Sequence, residues 1–324
     1  MKDRVFVTRR IPKIGLDLIK NRYDVDVWSH EDPPTSQDIV ERATDCTGLI
    51  TLLTDDISEK VLGQLPKLKV IAQYAVGYDN IDVAVATHRG IIVTNTPGVL
   101  TETTADFTWA LIMAASRRIV EADTFIRNKK WDVAWGPEML LGSDVFGATL
   151  GIIGMGRIGQ AVARRASGFN MKILYHSRSQ HNEIEDELDA KQVDLLTLLK
   201  ESDIVTIHVP LSSETHHLIG KMELELMRED SILVNTSRGN VIDEEALFKA
   251  LRDGHIGYAG LDVFKEEPIS KDSPLLSIQN VVVAPHIGSA SRSTRATMSR
   301  MCAENLIAAL EGKTPPNIVN PEVL

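Results

Sequence analysis

The sequence predicts an α/β protein built from two doubly wound parallel sheets. Short runs of β-branched residues alternate with helical segments along the whole chain, which is typical of parallel sheets with crossover helices. These runs fall into two sets, and a glycine-rich turn follows the first strand of the second set. A length of 324 residues is also that of about two domains.

The first set consists of five strands, separated by helical stretches such as 58–65 and 82–88. The strands are predicted over Val5–Thr8, Val25–Trp28, Leu49–Leu52, Val70–Ala72 and Ile91–Thr94. Asn95-Thr96-Pro97-Gly98 then breaks the pattern, because proline and glycine interrupt regular structure. A single long helix is predicted after this break, from Thr101 to about Lys130.

The second set consists of six strands. They are predicted over Leu150–Ile153, Lys172–Tyr175, Ile204–His208, Ile232–Asn235, Tyr258–Asp262 and Val281–Ala284. Helices are predicted between most of them, for example over 195–201 and 244–253, and the polar stretch 177–189 is predicted to be a surface loop. A last helix, over about 291–311, follows the sixth strand. The sixth strand completes the second sheet, so we expect this helix to pack on the first domain instead.

Composition excludes several classes of function. The chain carries 35 basic and 45 acidic residues, a net charge of −10, so it would repel nucleic acids and anionic membranes. Cys46 and Cys302 are too few for a disulfide framework and are expected to be buried thiols in a reducing compartment. The N-terminus has no signal-peptide pattern and no apolar run is long enough to span a membrane. We predict a cytoplasmic protein without a metal site.

The glycine-rich turn has the pattern of a dinucleotide-binding motif. It reads Gly154-Met155-Gly156-Arg157-Ile158-Gly159, after an apolar strand and before a helix, which is the context that this motif requires. The first glycine permits the tight turn, the second admits the pyrophosphate to the backbone, and the third allows close packing of the helix. With six parallel strands, it predicts a Rossmann domain that binds NAD or NADP.

The end of the next strand predicts a preference for NADPH over NADH. An acidic residue normally stands there to bind the adenosine ribose, but this chain has Ser177, Arg178 and Ser179. Serine and arginine can bind a 2′-phosphate, which a carboxylate would repel.

Three charged side chains follow the last three strands of the second set, where ligands bind in such sheets. Arg238 follows the fourth strand, Glu267 the fifth and His286 the sixth. His286 can donate a proton near neutral pH, and a neighbouring glutamate would orient its ring and favour the imidazolium form. Arg238 offers a planar fork to a carboxylate. Together they fit the reduction of a 2-oxo acid.

These segments resemble the D-isomer-specific 2-hydroxyacid dehydrogenase family. The resemblance rests on 236–239, 260–268 and 285–289, together with 76–82 and 95–98, and it extends over essentially the whole chain. The stretches 135–142 and 175–178 are most similar to glyoxylate/hydroxypyruvate reductases. The family implies a Rossmann NAD(P)-binding domain, residues 99–288, inserted into a flavodoxin-like substrate-binding domain, residues 1–98 and 289–324.

The resemblance also implies roles for individual residues. Arg238, Glu267 and His286 match the catalytic residues, and the backbone amides of Val76 and Gly77 match a loop that binds the substrate carboxylate. Positions near the nicotinamide are matched by Thr104, Thr236, Asp262 and Gly288. The further expected coenzyme contacts are Val209, Pro210, Thr215, Ser237, Arg238, His286 and Ile287. A homodimer is implied, formed through the helix after Pro97 and the loop before Gly147, with Met139 reaching the partner's substrate pocket.

Other functions compete with an NADPH-dependent reductase of glyoxylate and hydroxypyruvate. A 2-ketogluconate reductase or another D-2-hydroxyacid dehydrogenase remains open. A formate dehydrogenase would carry glutamine where Pro285 precedes His286. A protein of a different class, a dinucleotide-sensing binding protein like the co-repressors that resemble this family, would not need the three charged side chains.

Overall fold

The computed structural model describes residues 3–324 and divides the chain into two compact units. One unit comprises the chain up to Leu100 together with Ala290–Leu324, and the other is Thr101–Ser289. Each predicted strand is present, with ends that differ by no more than one residue from the prediction. Within residues 3–324 no helix is both long enough and apolar enough to cross a membrane.

The first unit is built on a five-stranded parallel sheet with the order β2-β1-β3-β4-β5. The strands are β1 (Arg4–Val7), β2 (Asp24–Val27), β3 (Gly48–Thr51), β4 (Val70–Gln73) and β5 (Ile92–Thr94). The helices that follow them are α1 (Lys13–Lys20), α2 (Ser36–Ala43), α3 (Glu59–Leu62) and α4 (Val83–His88). This is the flavodoxin-like strand order, in which ligands bind beyond the carboxyl ends of the strands.

The last helix of the chain, Arg292–Leu310, completes the first unit. Ser291 caps it by accepting a hydrogen bond from the amide of Thr294. Its apolar side chains Met298, Cys302 and Leu306 are buried in the same core as Val5 and Val70. The final helix therefore lies in the unit that begins at the other end of the chain.

The second unit is built on a seven-stranded parallel sheet. Its strands are β6 (Thr149–Ile153), β7 (Lys172–His176), β8 (Lys191–Gln192), β9 (Ile204–Ile207), β10 (Ile232–Asn235), β11 (Tyr258–Leu261) and β12 (Val281–Val283). They lie in the order β12-β11-β10-β9-β6-β7-β8. The order reverses between β6 and β9, and this switch point is where a doubly wound sheet binds its ligand.

Seven α-helices flank this sheet in the described chain. They are α5 (Thr101–Ser116), α6 (Ile119–Arg127), α7 (Arg157–Ala166), α8 (Asn182–Leu188), α9 (Leu195–Glu201), α10 (Lys221–Leu226) and α11 (Glu244–Arg252). The final helix of the chain, Arg292–Leu310, is accordingly α12. Helix α5 is buried on much of its surface, and Trp109 donates a hydrogen bond to the carbonyl of Val162 in α7.

Three sequence predictions about this unit were wrong. The single long helix from Thr101 is two helices, because Arg118 adopts a left-handed conformation with φ 51° between α5 and α6. The sheet has a seventh strand, the two-residue β8. The stretch predicted to be a loop contains α8, which buries only Ile184.

Candidate active site

The glycine motif forms a tight turn between β6 and α7. Gly154 has φ 96°, and a Cβ there would lie 2.7 Å from the carbonyl oxygen of His208. A Cβ on Gly159 would lie 2.1 Å from the carbonyl oxygen of Gly154, so α7 packs directly on the turn. A Cβ on Gly156 would meet no atom within 4 Å, so open space lies above this residue. The turn thus combines two close contacts with one open face.

The open face fits an anionic group of a dinucleotide. Gly156 is the N-cap of α7 and provides no side-chain cap, so the first amides of the helix remain available to a phosphate. The imidazole of His208, at the end of β9, has a buried Nε2 without a hydrogen-bond partner in the described chain. Burial lowers the pKa of His208 to about 3, which keeps this ring neutral. An uncapped helix start and an unpaired buried nitrogen are features that a bound coenzyme would complete.

The segment after β7 carries the serine and arginine residues expected to select NADPH. Nη1 of Arg178 lies 3.8 Å from Oε2 of Glu214, and both side chains are mostly exposed. The carbonyl oxygen of Ser177 accepts a hydrogen bond of 2.8 Å from the side chain of Gln192 in β8. The sequence analysis did not identify Glu214, although an acidic residue in the loop after β9 is a possible partner for Arg178. The positive charge of Arg178 is thus partly balanced.

The loop after β9 is closed on itself by Thr215. Its hydroxyl donates to the carbonyl oxygen of Pro210 at 2.6 Å and accepts from the amide of Ser212 at 2.8 Å. The structure therefore brings Pro210 and Thr215, both expected to contact the coenzyme, into one turn beside Val209.

Asn235, the last residue of β10, shapes the loop that carries Arg238. Its Oδ1 accepts hydrogen bonds from the amide and hydroxyl of Ser237, and its Nδ2 donates to the carbonyl oxygen of Arg238. A Cβ on Gly239 would lie 1.9 Å from the carbonyl carbon of Phe264. Only glycine permits this contact, which packs the Arg238 loop against the start of the segment that carries Glu267.

His286 and Glu267 form a close ionisable pair at the site. Nδ1 of His286 lies 2.6 Å from Oε2 of Glu267, and Oε1 of Glu267 accepts a hydrogen bond from the amide of Phe264. The two side chains are 28% and 29% exposed. Because a carboxylate accepts at Nδ1, that nitrogen carries a hydrogen and Nε2 is the atom left to exchange a proton with a ligand.

Buried Asp262 fixes the backbone around His286. Its two carboxylate oxygens accept hydrogen bonds of 2.7 Å each from the amides of Ile287 and Gly288, and its carbonyl oxygen accepts one from the amide of His286. Burial raises the pKa of Asp262, while these two amides lower it. The carboxylate thus orders the turn that presents the histidine.

The four residues expected near the nicotinamide are linked in the structure. A Cβ on Gly288 would lie 3.0 Å from the carboxylate of Asp262 and 3.5 Å from the methyl group of Thr104. The hydroxyl of Thr108 donates to the carbonyl oxygen of Thr104 and lies 3.0 Å from the hydroxyl of Thr236. All four positions therefore belong to one connected cluster.

The remaining site prediction concerns the first unit. Val76 and Gly77 follow β4 there, in a loop whose carbonyl groups are bonded by the side chains of Asn95 and Gln73. Cys46 and Cys302 are both buried and free, as the sequence predicts. Between residues 3 and 324, no group of three or more His, Cys, Asp or Glu side chains is placed to hold a metal ion.

Comparison with known protein families decides which class of enzyme carries this site. Residues 109–288 match the model of the D-isomer specific 2-hydroxyacid dehydrogenase, NAD binding domain. The chain belongs to this dehydrogenase family. Membership confirms the resemblance seen in the motifs, the two-domain α/β fold and the class of enzyme, an oxidoreductase dependent on a nicotinamide dinucleotide.

Relatives of this dehydrogenase match it over its whole length. A glyoxylate reductase of Korarchaeum cryptofilum is 59% identical, with 100% of this chain and 98% of that protein covered. A glyoxylate reductase of Thermococcus litoralis is 53% identical over the same shares.

Solved structures agree in fold. The TT0316 protein of Thermus thermophilus is 47% identical with a TM-score of 0.92, covering 98% of this chain and 99% of that one. An NADPH-dependent glyoxylate/hydroxypyruvate reductase of Sinorhizobium meliloti, crystallised with NADP and malonate, is 31% identical with a TM-score of 0.87, covering 100% and 98%.

Proposed function

We propose that this dehydrogenase reduces glyoxylate and hydroxypyruvate to glycolate and D-glycerate, with NADPH preferred to NADH. The observation that carries the proposal is the 2.6 Å contact of His286 with Glu267, in the same unit as the loop that presents Arg238. The relatives named as glyoxylate reductases support the choice of a short 2-oxo acid.

Each of the three side chains has a distinct part in the proposed reaction. Arg238 binds the substrate carboxylate and polarises the carbonyl with its planar fork of donors. His286 gives the proton on Nε2 to the carbonyl oxygen as it becomes a hydroxyl, and Glu267 holds the ring through Nδ1. The bound nicotinamide supplies the hydride.

The coenzyme is proposed to lie along the carboxyl ends of the strands of the second unit. Gly154, Gly156, Arg157, Ile158 and Gly159 would hold the pyrophosphate at the start of α7, and residues 177–179 would hold the 2′-phosphate. Val209, Pro210 and Thr215 would contact the adenosine half. The nicotinamide end would be bordered by Thr104, Thr236, Ser237, Arg238, Asp262, His286, Ile287 and Gly288.

Steady-state assays of glyoxylate, hydroxypyruvate, 2-ketogluconate and 2-oxoisocaproate with each coenzyme test the reaction. Short substrates should give the higher kcat/KM, and a preference for 2-oxoisocaproate would refute the assignment within the family. His286→Ala should lower kcat by roughly 10²–10⁴, the usual contribution of a general acid. Calorimetry should show coenzyme binding little changed in that variant, whereas turnover like that of the unmodified enzyme would remove His286 from the mechanism.

The preference for NADPH is tested with two variants of the adenosine end and with salt. Ser177→Asp combined with Arg178→Ala should move kcat/KM towards NADH. Glu214→Gln, which releases Arg178 from its 3.8 Å ion pair, should increase the preference for NADPH. Increasing salt should weaken that preference because exposed charges are screened. Equal efficiency of both coenzymes in the unmodified enzyme would show that Arg178 does not bind the 2′-phosphate.

One unit is proposed to bind the 2-oxo acid and the other to bind the coenzyme. Residues 1–98 and 289–324 would form the substrate-binding domain, and residues 99–288 the coenzyme-binding domain. Expression of residues 101–289 alone gives a test, since this unit should bind NADPH. Failure of the folded fragment to bind any dinucleotide would contradict the division.

A homodimer is proposed from the exposed apolar side chains of the second unit. Helix α6 buries none of its residues, and Ile126 is 54% exposed. Trp135 and Phe146 in the following segment are 78% and 71% exposed, and Met139 stands in the same segment. Covering such side chains is what an oligomer interface provides. Light scattering should give a dimer mass, and Ile126→Glu should shift it towards the monomer; a monomeric unmodified protein would refute the proposal.

A further inference from the structure

The loop at Val76 and Gly77 is anchored through three consecutive carbonyl groups. The carbonyl oxygen of Ala75 accepts a hydrogen bond of 2.8 Å from the amide of Thr96. The carbonyl oxygen of Val76 accepts one of 2.8 Å from Nδ2 of Asn95, and that of Gly77 accepts one of 3.2 Å from Nε2 of Gln73. Each acceptor of this loop is therefore occupied from within the first unit.

These anchors fix the direction of the loop's amides. In a trans peptide the C=O and the N–H of the next residue point in opposite directions. A bond to the carbonyl of Ala75, Val76 or Gly77 thus turns the amide of Val76, Gly77 or Tyr78, respectively, to the other side. No residue among 3–324 accepts a hydrogen bond from these three amides. The loop presents unpaired donors, which is what an anion-binding backbone requires.

The orientation of the Gln73 side chain follows from its neighbours. Nδ2 of Asn80 donates to the carbonyl oxygens of Leu52 and Asp55, so Oδ1 of Asn80 faces Gln73 as an acceptor. The side-chain nitrogen of Gln73 must therefore point to Asn80, at 2.7 Å, and its second hydrogen reaches Gly77.

The side-chain oxygen of Gln73 is also fixed by a hydrogen bond. Its Oε1 accepts a hydrogen bond of 2.6 Å from the hydroxyl of Thr51, and the residue is completely buried. Rotating this amide would place its oxygen against the oxygens of both Asn80 and Gly77. Gln73 is therefore a rigid donor to the loop.

Asn95 is held from the C-terminal part of the chain. Its amide donates to the carbonyl oxygen of Asn317 at 3.2 Å, and its carbonyl oxygen accepts from Nδ2 of Asn305 at 2.9 Å. Nδ2 of Asn317 in turn donates to Oδ1 of Asn305 at 3.1 Å. The backbone of Asn95 is thus fixed on both sides, which directs its side chain at the carbonyl of Val76.

We propose that Gln73 and Asn95 are positioning residues for substrate binding: by holding the carbonyls of Gly77 and Val76, they keep the loop's amides aimed at the carboxylate of a 2-oxo acid. This inference rests on the proposed reaction and on the carboxylate-binding role that the resemblance to the dehydrogenase family implies for Val76 and Gly77. Neither side chain takes part in hydride or proton transfer. Their loss should weaken carboxylate binding and leave the chemical step intact.

Near-isosteric substitutions give the test. Asn95→Asp replaces the donor by an acceptor facing the carbonyl of Val76, and Gln73→Met removes both donors of Gln73 at similar volume. Asn320→Asp is the matched control, because this buried asparagine likewise donates to a backbone carbonyl, that of Ile91, elsewhere in the unit. KM and kcat for glyoxylate, the Kd of oxamate by calorimetry with saturating coenzyme, the Kd of coenzyme and Tm are measured for each.

In the Asn95 and Gln73 variants, KM for glyoxylate and the Kd of oxamate should rise about tenfold, the equivalent of one hydrogen bond. Values of kcat and coenzyme Kd should stay within about twofold of those of the unmodified enzyme. Asn320→Asp should lower Tm without changing KM. If one of these variants fails to fold, the KM and the oxamate Kd of the other still test the inference.

Unchanged oxamate affinity in the folded variants would overturn the inference, as would an equal rise in KM for Asn320→Asp. The oxamate measurement does not depend on turnover. An unmodified enzyme that binds oxamate but reduces no 2-oxo acid would refute the proposed reaction, while the variants' oxamate affinities would still decide whether the two amides position the loop.

Discussion

Gly156→Ala separates the stability of the second unit from its capacity to bind a dinucleotide. The backbone of Gly156, at φ −73° and ψ −167°, is a conformation that alanine adopts readily. An added Cβ would meet nothing within 4 Å. The substitution should therefore cost no packing energy, but it fills the space above the first turn of α7.

Gly156→Ala should stabilise the folded unit but weaken its binding of the coenzyme. Replacing glycine by alanine at a compatible position stabilises a protein by about 0.4–1 kcal/mol, because the unfolded chain loses freedom. For a unit of roughly 150–250 residues this raises Tm by about 1–4 °C. Loss of one charge-assisted bond to a phosphate costs about 1.5–3 kcal/mol, which corresponds to a rise of roughly 10- to 100-fold in coenzyme Kd.

Thermal unfolding without ligand and calorimetric titration with NADPH measure the two effects separately. Gly168→Ala is the matched control, since a Cβ there would also meet nothing within 4 Å and the position lies outside the glycine motif. This control should leave coenzyme affinity unchanged. Unaltered affinity in Gly156→Ala would refute the placement of the pyrophosphate, and a Tm lowered by several degrees would refute the open geometry of the turn.

Three further perturbations test other parts of the second unit. Glu267→Gln should lower kcat for glyoxylate reduction, because His286 loses the carboxylate that fixes its tautomer and ring orientation; an unchanged kcat would contradict the pairing. Arg238→Lys keeps the charge but not the planar fork, so assays should show no recovery of activity over Arg238→Ala. Burial lowers the pKa of His208 to about 3, so the unfolded state binds a proton that the folded state excludes. Stability should fall by about 1.4 kcal/mol per pH unit from about pH 6.5 towards pH 3, and denaturant titrations of His208→Gln should show a smaller fall.

Most strands were predictable because they are short, buried apolar runs with polar or turn residues at their ends. The break between α5 and α6 was not, because distant contacts stabilise it. Arg118 forms a bidentate ion pair with Glu121 and donates to the carbonyl oxygen of Leu141. Gly142 packs against the carbonyl of Ser116. No periodicity within residues 101–130 reveals a partner at residue 141.

The strand-end rule for parallel sheets located the candidate site but not the side chains that support it. The rule identifies residues that follow strands, such as Arg238 and His286. The rule did not identify Glu214 or Gln73, because the roles of these side chains depend on their contacts in the folded protein. Glu214 meets Arg178 from a different strand end. Gln73 directly follows the predicted strand but is the buried last residue of β4, so its side chain reaches the loop through contacts that the sequence does not show.

The return of α12 to the first unit has a consequence for the order in which a ribosome could deliver a folded protein. Residues 101–289 emerge as one uninterrupted stretch, so the second unit can form while synthesis continues. The core of the first unit lacks Met298, Cys302 and Leu306 until α12 is synthesised. One apolar face of its sheet therefore stays uncovered until this helix has been made. During that time chaperones and proteases have their best access to the nascent chain.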